Sequence, residues 1–69
     1  MSQWQKILNY MKEYGSITPL DALREFGCMR LAARISDLTH RGYRIESTME
    51  SSVNRNGDKV HFARYYLVA

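Results

Sequence analysis

The stretch over residues 18–44, TPLDALREFGCMRLAARISDLTHRGYR, constrains the fold more than any other part of the chain. It begins with a strong helix start. Thr18 is a preferred residue type for a helix N-cap, and Pro19 suits the first helical position because its missing N–H would have no partner there. Asp21 complements the positive end of the helix dipole. These signals predict a helix at about residues 19–26. Its side chains expected to face the core are Leu20, Leu23 and Phe26.

A second helix follows after a very tight turn. Gly27 is the residue expected just beyond a helix C-terminus, and it permits a sharp reversal. The second helix is predicted at about residues 29–41, where Gly42 closes it and Tyr43 can pack back in a Schellman-type end. Its apolar residues have the i, i+4, i+7 spacing of a narrow core stripe. They are Leu31, Ile35 and Leu38.

The preceding segment predicts a further helix at about residues 2–14. Ser2 and Gln5 have the spacing of a capping box, and Gly15 is the expected stop. Ser16 and Ile17 can then form at most a short strand at the edge of a sheet completed later in the chain. The apolar stripe expected to pack in the core is Trp4, Ile7, Leu8, Met11 and Tyr14.

The C-terminal part predicts a β-hairpin over residues 43–68. Asn56-Gly57 is a strong hairpin signal, because a type I′ turn needs positive φ at both central positions. A two-residue turn at this dipeptide would pair Val53 with Val60. That register leaves apolar residues on both faces of the return strand, and a bulge would change which face is buried. The predicted strands and the polar turn between them are residues 43–50, 59–68 and 51–59.

Length and composition bound the class of protein. The chain has 69 residues, which suits one domain with a modest core, and its net charge of +3 is mildly basic. Cys28 is the only cysteine, so an intramolecular disulfide is excluded, and His40 and His61 are isolated from any zinc-like cluster. We expect a cytoplasmic protein without a membrane span, since neither a signal-peptide pattern nor a long apolar run is present.

The sequence predicts neither catalysis nor a cofactor. It contains no Ser/His/Asp set with plausible spacing and no phosphate-cradling glycine loop. Glu46 and Glu50 lie on one predicted strand face with a threonine between them, which is an ordinary exposed pattern. Cys28 has no neighbouring base that would make it a nucleophile. We therefore expect a protein that is not an enzyme and that binds no metal.

Residues 31–45, LAARISDLTHRGYRI, resemble the recognition-helix region of winged helix-turn-helix domains. In the N-terminal domain of biotin-operon repressors a similar helix also ends in the pattern L-x-x-x-G-Y-x-I. The chain is similar, too, to small helix-turn-helix proteins of phages and prophages. The resemblance implies an α+β fold with a three-helix core and a C-terminal β-hairpin, in the order helix, short strand, helix, helix, strand, wing, strand. The link between Gly27 and Leu31 is shorter than the usual turn of the biotin-repressor type, which affects the tilt of the recognition helix.

The predicted partner is duplex DNA, because a major groove about 12 Å wide admits one α-helix that presents its outward face to the bases. Arg30, near the start of the recognition helix, can pair bidentately with guanine. The predicted contacts of this helix are Met29, Arg30, Ala33, Arg34, Ser36, Asp37 and His40. Those around the start of the preceding helix are Thr18 and Arg24, and both helix N-termini offer N–H groups to phosphates. The wing over residues 50–59 and the strand after it contribute Asn54, Arg55, Asn56, Lys59 and His61.

Some assignments stay open at this stage. Arg34 can equally form an intramolecular ion pair, with Glu25 or Asp21, and Asp37 lowers the positive charge of the presumed DNA side. The favoured function is sequence-specific DNA binding in transcriptional regulation, in a bacterial or phage context, with a homodimer or a partner protein. The alternatives are an accessory factor in DNA recombination and a protein-interaction module of a mobile element, such as an inhibitor of a host enzyme.

Overall fold

Residues 1–68, the part of the chain that the computed structural model describes, form three α-helices and a three-stranded antiparallel sheet. The elements in chain order are α1 (Gln3–Tyr14), β1 (Ser16–Ile17), α2 (Pro19–Phe26), α3 (Leu31–His40), β2 (Ile45–Val53) and β3 (Lys59–Leu67). The strand order is β1-β3-β2. The predicted α+β class is confirmed, and the short strand β1 pairs with β3 through Ser16–Tyr66 and Ile17–Tyr65.

The core lies between the helices and one face of the sheet. α1 and α3 supply most of it, and the stripe predicted for α3 is fully buried. Tyr65 and Leu67 of β3 pack against this cluster from the sheet. α1 therefore packs against the buried side of α3 and holds this helix in place. The buried core residues are Ile7, Leu8, Met11, Ile17, Ala22, Cys28, Leu31, Ile35 and Leu38.

Both predicted N-terminal caps are present as reciprocal capping boxes. In α1 the Ser2 N–H donates to Gln5 Oε1 at 2.9 Å, and the Gln5 N–H donates to Ser2 Oγ. In α2 the Thr18 N–H donates to Asp21 Oδ2 at 3.0 Å, and the Asp21 N–H donates to Thr18 Oγ1 at 3.1 Å. These bonds pair backbone donors that a helix start otherwise leaves free, so both helices begin at defined residues.

The end of α3 is the Schellman-type end expected from the sequence. Gly42, at φ 98°, donates its N–H to the Thr39 carbonyl, and the Tyr43 N–H donates to the Leu38 carbonyl. A residue with a Cβ would be strained at such a φ. The chain therefore turns sharply out of α3 and enters β2 two residues after Tyr43.

The inward face predicted for α2 is wrong at two positions. Leu20 and Leu23 are 60% and 47% exposed, and the buried residue of this helix is Ala22. The small side chain of Ala22 lets the backbone of α2 approach the core closely, which turns the leucines outward. Tyr14 of α1 was also expected inward but is 64% exposed.

Tyr10, rather than Tyr14, packs against the core from α1. Its ring lies edge-on to Phe26 of α2, with the ring centroids 5.8 Å apart. Tyr14 instead lies over Tyr10, at a centroid distance of 4.5 Å. Burial and the nearby carboxylates of Asp21 and Glu25 raise the pKa of Tyr10. These aromatic contacts fix α2 against α1 at the end of α2 that leads into the turn.

The hairpin register differs by one residue from the prediction. Val53 pairs with Lys59, rather than with Val60, and β2 extends to Val53 instead of ending at Glu50. Asn56 does not have positive φ, whereas Gly57 has φ 84°, so a type I′ turn is excluded. The loop therefore has one residue more than a two-residue turn, and the extra residue lies on the β2 side of the loop.

The shifted register decides which face of the hairpin is buried. Ile45 now lies opposite Leu67, and Ser47 lies opposite Tyr65. Tyr65 also pairs with Ile17 of β1, which is completely buried. Because directly paired residues share a face, this side of the sheet covers the core and the side bearing Arg64 faces away from it.

Arg64 ties the strands together on that second face. Its Nε donates to Glu50 Oε2 of β2 at 2.8 Å, and its Nη1 donates to Ser16 Oγ of β1 at 3.1 Å. The hydrogen bond to Glu50 raises the pKa of Arg64 further above its ordinary value. The pair therefore stays charged wherever Glu50 is ionised, and the two-residue strand β1 gains a side-chain anchor.

Candidate nucleic-acid interface

The start of α3 is not capped by any side chain. The helix begins at Leu31 rather than at Met29, and Arg30 occupies the N-cap position with φ −124° and ψ 59°. The first intrahelical bond runs from the Arg34 N–H to the Arg30 carbonyl at 3.3 Å. The N–H groups of the preceding helical residues therefore remain available to an anion. Met29 and Arg30 lie in the turn itself, and both are exposed.

The start of α2 differs from that of α3, because a capping box occupies it. Its leading N–H groups are held in the Thr18–Asp21 capping box, and the Asp21 carboxylate puts a negative charge at this position. Thr18 is only 5% exposed, so its hydroxyl serves the cap rather than a ligand. Arg24 is exposed but lies in the last turn of α2, not at its start.

The outward face of α3 carries Ser36 and His40, both exposed, with Ala33 half-buried beside them. The His40 Nδ1 atom lies 2.8 Å from the Ser36 carbonyl oxygen. A carbonyl can only accept, so we assign the proton to Nδ1, and Nε2 is then the ring nitrogen left for a ligand. The contact fixes the imidazole against its own helix.

Arg34 forms an ion pair within α3 instead of with Glu25 or Asp21. Its Nε atom lies 3.0 Å from Asp37 Oδ2, one turn further along. The N–H does not point along this line, so Nε is buried without a well-aligned hydrogen bond. Asp37 thus neutralises a positive charge on α3. Both residues remain in the predicted contact set, but Arg34 would have to leave its partner to hold a phosphate.

Arg41, at the C-terminal end of α3, packs on α1. Its guanidinium carbon lies 4.0 Å from the centre of the Trp4 ring, which is a cation–π contact. This contact gives Arg41 a structural role and leaves Arg30 and Arg44 as the arginines next to α3 for which the structure records no side-chain partner among residues 1–68.

The wing tip is a loop over residues 54–58, narrower than the predicted 50–59. Asn54 organises it: its Oδ1 accepts the N–H of Asn56 at 2.9 Å and that of Asp58 at 3.0 Å. The Asn54 side chain is therefore occupied by the loop. Five predicted contact residues of the hairpin are exposed: Asn54, Arg55, Asn56, Lys59 and His61.

An open groove of about 710 Å³ separates the helices from the wing. Met29 lies on one wall, and Val53 and Asn54 lie on the other, so the turn before α3 and the base of the wing tip flank the same groove. Its walls are largely apolar. The exposed apolar side chains along it are Leu20, Leu23, Met29, Val53 and Val60.

Sequence reasoning missed this groove. Helical periodicity assigned Leu20 and Leu23 to the core, and the register error misplaced the valines of the hairpin. Leu20 and Ala22 are about 200° apart around a helix, so the sequence shows that only one of them can face the core, but not which one.

Two adjacent helices joined by a tight turn, an exposed second helix and a β-hairpin beside it together define a DNA-binding helix-turn-helix domain with a wing. A family model described as "Winged helix-turn-helix domain" matches residues 2–69, and the chain belongs to that family. Comparison with curated proteins and with solved structures gave no match. The fold is a DNA-binding one and is typically not enzymatic.

None of the helices among residues 1–68 is long and apolar enough to cross a membrane. No group of three or more histidine, cysteine or acidic side chains in the same range is close enough together to hold a metal ion.

Proposed function

We propose that the protein binds duplex DNA in a sequence-specific manner and regulates transcription. α3 would enter the major groove, and the wing tip would contact the neighbouring phosphates or minor groove. The observation that carries the proposal is the start of α3: this helix begins without a side-chain cap, next to the exposed Arg30, and the wing lies across a groove from the turn that precedes it.

The contacts divide by chemistry. Arg30, Ser36 and His40 are the polar side chains placed to meet base edges. The free N–H groups at the start of α3 suit a phosphate, since the helix dipole favours negative charge there. Arg55 and Lys59 on the wing suit phosphates as well, and they position the domain without reading sequence.

The number of available charges limits the affinity. Asp37 holds Arg34, and Arg41 is stacked on Trp4, so α3 offers few free cations. A domain with so few contacts needs a second DNA-bound copy or a partner to select one site among many. A paired or repeated target site is consistent with a regulator.

The first experiment measures binding to a random duplex as the salt concentration is varied. If several phosphates are contacted, the affinity falls with a log–log slope of about −0.9 for each of them. Arg30→Ala should weaken binding, whereas Lys12→Ala on the exposed side of α1 should not. A failure to bind any duplex at low salt, or equal losses in both variants, would overturn the proposal.

The second experiment tests sequence specificity. Selection from a random duplex pool should enrich one motif, and each mismatch in that motif should cost about 1–3 kcal/mol. Arg30→Ala should relax selection at one position of the motif rather than at all positions. Enrichment of no motif would reduce the protein to a non-specific DNA binder.

The apolar groove favours a second candidate function, the docking of an apolar segment of another protein. Specific protein–DNA interfaces are more polar than this groove, and its five exposed apolar side chains form the kind of patch that marks a protein-binding site. Val60→Ser, which removes an apolar side chain without adding charge, should weaken such docking and leave the salt-dependent DNA binding unchanged. Loss of DNA binding in this variant would instead assign the groove to the DNA interface.

A further inference from the structure

β2 leaves one edge of the sheet open. In the order β1-β3-β2 it is the outermost strand over Ile45–Val53, and no other strand among residues 1–68 pairs with its outer side. Natural proteins block such edges with charged side chains, especially lysine, with proline or with a bulge. β2, with the sequence IESTMESSV, contains neither lysine nor proline, and its pairing with β3 is continuous from end to end. Of its two charged residues, Glu46 and Glu50, the second is paired with Arg64 within the sheet.

The hydrogen-bond pattern identifies the backbone groups on the open edge. The Asn54 N–H donates to the Asp58 carbonyl at 2.9 Å, and the Val68 N–H donates to the Arg44 carbonyl at 2.8 Å. Backbone groups in an antiparallel pair alternate between the two sides of a strand. The even-numbered residues of β2 therefore bond to β3, and the odd-numbered ones present their N–H and C=O groups outward. The outward set is Ile45, Ser47, Met49, Ser51 and Val53.

We propose that this edge pairs with the same edge of a second copy, in an antiparallel register centred on Met49. A two-fold axis at Met49 sets Met49 opposite itself and Ile45 opposite Val53 of the second copy. All outward residues then meet outward residues, and the whole length of β2 is used. The two sheets join into one continuous sheet across the dimer, and the loop at the wing tip stays free.

The side chains fit this register. Met49 and Val53 are 70% and 64% exposed in one chain, and pairing would bring them together with Ile45 on one face. On the other face Glu46 lies opposite Ser52 of the second copy, so no two carboxylates are directly opposed. Glu50 lies opposite Thr48 and is already paired with Arg64 at 2.8 Å.

Pairing of β2 with β2 of a second copy explains the composition of this strand better than pairing with a strand from another protein. A two-fold contact must be self-complementary, so each residue has to suit its symmetry partner. β2 meets this requirement along its whole length: apolar residues at the centre and both ends, serines between them, and acids opposite hydroxyls. A strand from another protein would impose no such symmetry on β2.

Single cysteines test the register directly. In the proposed dimer the two Met49 Cα atoms are about 5.5 Å apart, as in a hydrogen-bonded antiparallel pair, and this distance falls within disulfide range. Met49→Cys should therefore form a covalent dimer rapidly under mild oxidation. Native Cys28 is buried, so the unmodified protein gives the background rate.

The control variants have the same exposed strand setting. Ser47→Cys and Ser51→Cys alone should cross-link no faster than the background, because each lies about 14 Å from its own copy in this register. A mixture of these two variants should cross-link, since positions 47 and 51 are opposed. Equal rates for Met49→Cys and the single serine variants would overturn the proposed register.

Sedimentation at increasing protein concentration tests the dimer without cross-linking. The native protein should approach twice the mass of one chain. Met49→Lys, which would oppose two lysines at the axis, should remain a single chain with an unchanged circular dichroism spectrum. Val60→Lys, an equal change on the neighbouring strand, should still dimerise.

Two results would overturn the proposal. One is a native protein that stays a single chain at every concentration. The other is a dimer that Val60→Lys abolishes and Met49→Lys does not, which would place the contact at the apolar groove. DNA is absent from these measurements, so they are independent of the proposed DNA-binding function.

Discussion

Arg34 is a positively charged residue on α3, as a phosphate contact requires, but it already forms an ion pair with Asp37. An arginine beside an acid one turn further along is a common stabilising pair on a helix surface. A phosphate would have to compete with Asp37 for Arg34, because Asp37 Oδ2 lies 3.0 Å from Arg34 Nε. The charge that α3 presents to a ligand is therefore set by the acid as much as by the arginine.

Asp37→Asn should consequently tighten binding to random duplex DNA. The change removes a negative charge from the interface and frees Arg34 for a phosphate, so the log–log salt slope should become steeper by about 0.9. Fluorescence anisotropy across a salt series measures both effects. Glu13→Gln, an equal change on the exposed side of α1, should leave the slope as it is. An unchanged slope in Asp37→Asn would remove both residues from the interface.

Thr18 stabilises the protein through its capping box. Thr18 is buried and its capping box is partly buried, whereas the equivalent box at Ser2 is exposed to water, which can replace the lost bonds. Thr18→Ala should lower the free energy of unfolding by about 1 kcal/mol, and Ser2→Ala should lower it less. Urea unfolding curves compare the two variants. A larger loss in Ser2→Ala would contradict the role assigned to Thr18.

At the scale of the elements, the wing tip depends on one side chain. Asn54 accepts two backbone N–H groups through its Oδ1 atom, and the structure records no such bond for the side chain of Asn56. Asn54→Ala should therefore destabilise the protein by about 1 kcal/mol, the net value of one typical intramolecular hydrogen bond, because water can partly replace the two exposed bonds that are lost. Asn56→Ala is the matched control and should cost little.

Hydrogen exchange locates the effect of Asn54→Ala. The amides of residues 56 and 58 should exchange faster in this variant, because they lose their acceptor, while the amides of α1 should be protected as before. Equal thermal stability of the two asparagine variants would mean that Gly57 alone determines the loop.

The sequence predicted the elements whose signals are local. The caps at Ser2 and Thr18, the Schellman end at Gly42 and the core stripe of α3 depend on residues a few positions apart, and all are present. The short strand β1 was also predicted, since the chain between two capped helices leaves room for little else.

The errors arise where side-chain contacts outside the local pattern decide the outcome. Asn56-Gly57 favours a two-residue turn, but the Asn54 side chain stabilises a longer loop, and the whole hairpin shifts by one residue. In α2 the choice between Ala22 and the leucines was made by the packing of α1 and the sheet. Helical periodicity within eight residues does not contain that information.

As a whole, the molecule is a small body with a projecting arm. Its Cα radius of gyration is 12.3 Å and its longest dimension is 38 Å. A typical domain of this length would have a radius of about 11 Å. The difference reflects the hairpin, whose outer half extends beyond the core. A domain this small has little core to stabilise it, so ligand binding should affect its stability strongly.

A specific duplex should therefore raise the melting temperature substantially. At a free DNA concentration one hundred times the Kd, mass action adds about 2.7 kcal/mol. For a domain of this size each kcal/mol raises the melting temperature by roughly 4–8 °C, so the expected rise is about 10–20 °C. Differential scanning calorimetry with and without the selected duplex measures it. An unrelated duplex at the same concentration should give a smaller rise, and equal rises would argue against specificity.

Because Cys28 is buried, the reaction of its thiol with a dye can report on opening of the native protein. The thiol lies in the turn between α2 and α3 and is only 3% exposed, so a thiol-specific dye cannot reach it while the two helices remain packed. The rate of labelling then measures how often this turn opens, and no substitution in the protein is needed. If DNA holds the two helices together, it should slow the labelling of this buried residue.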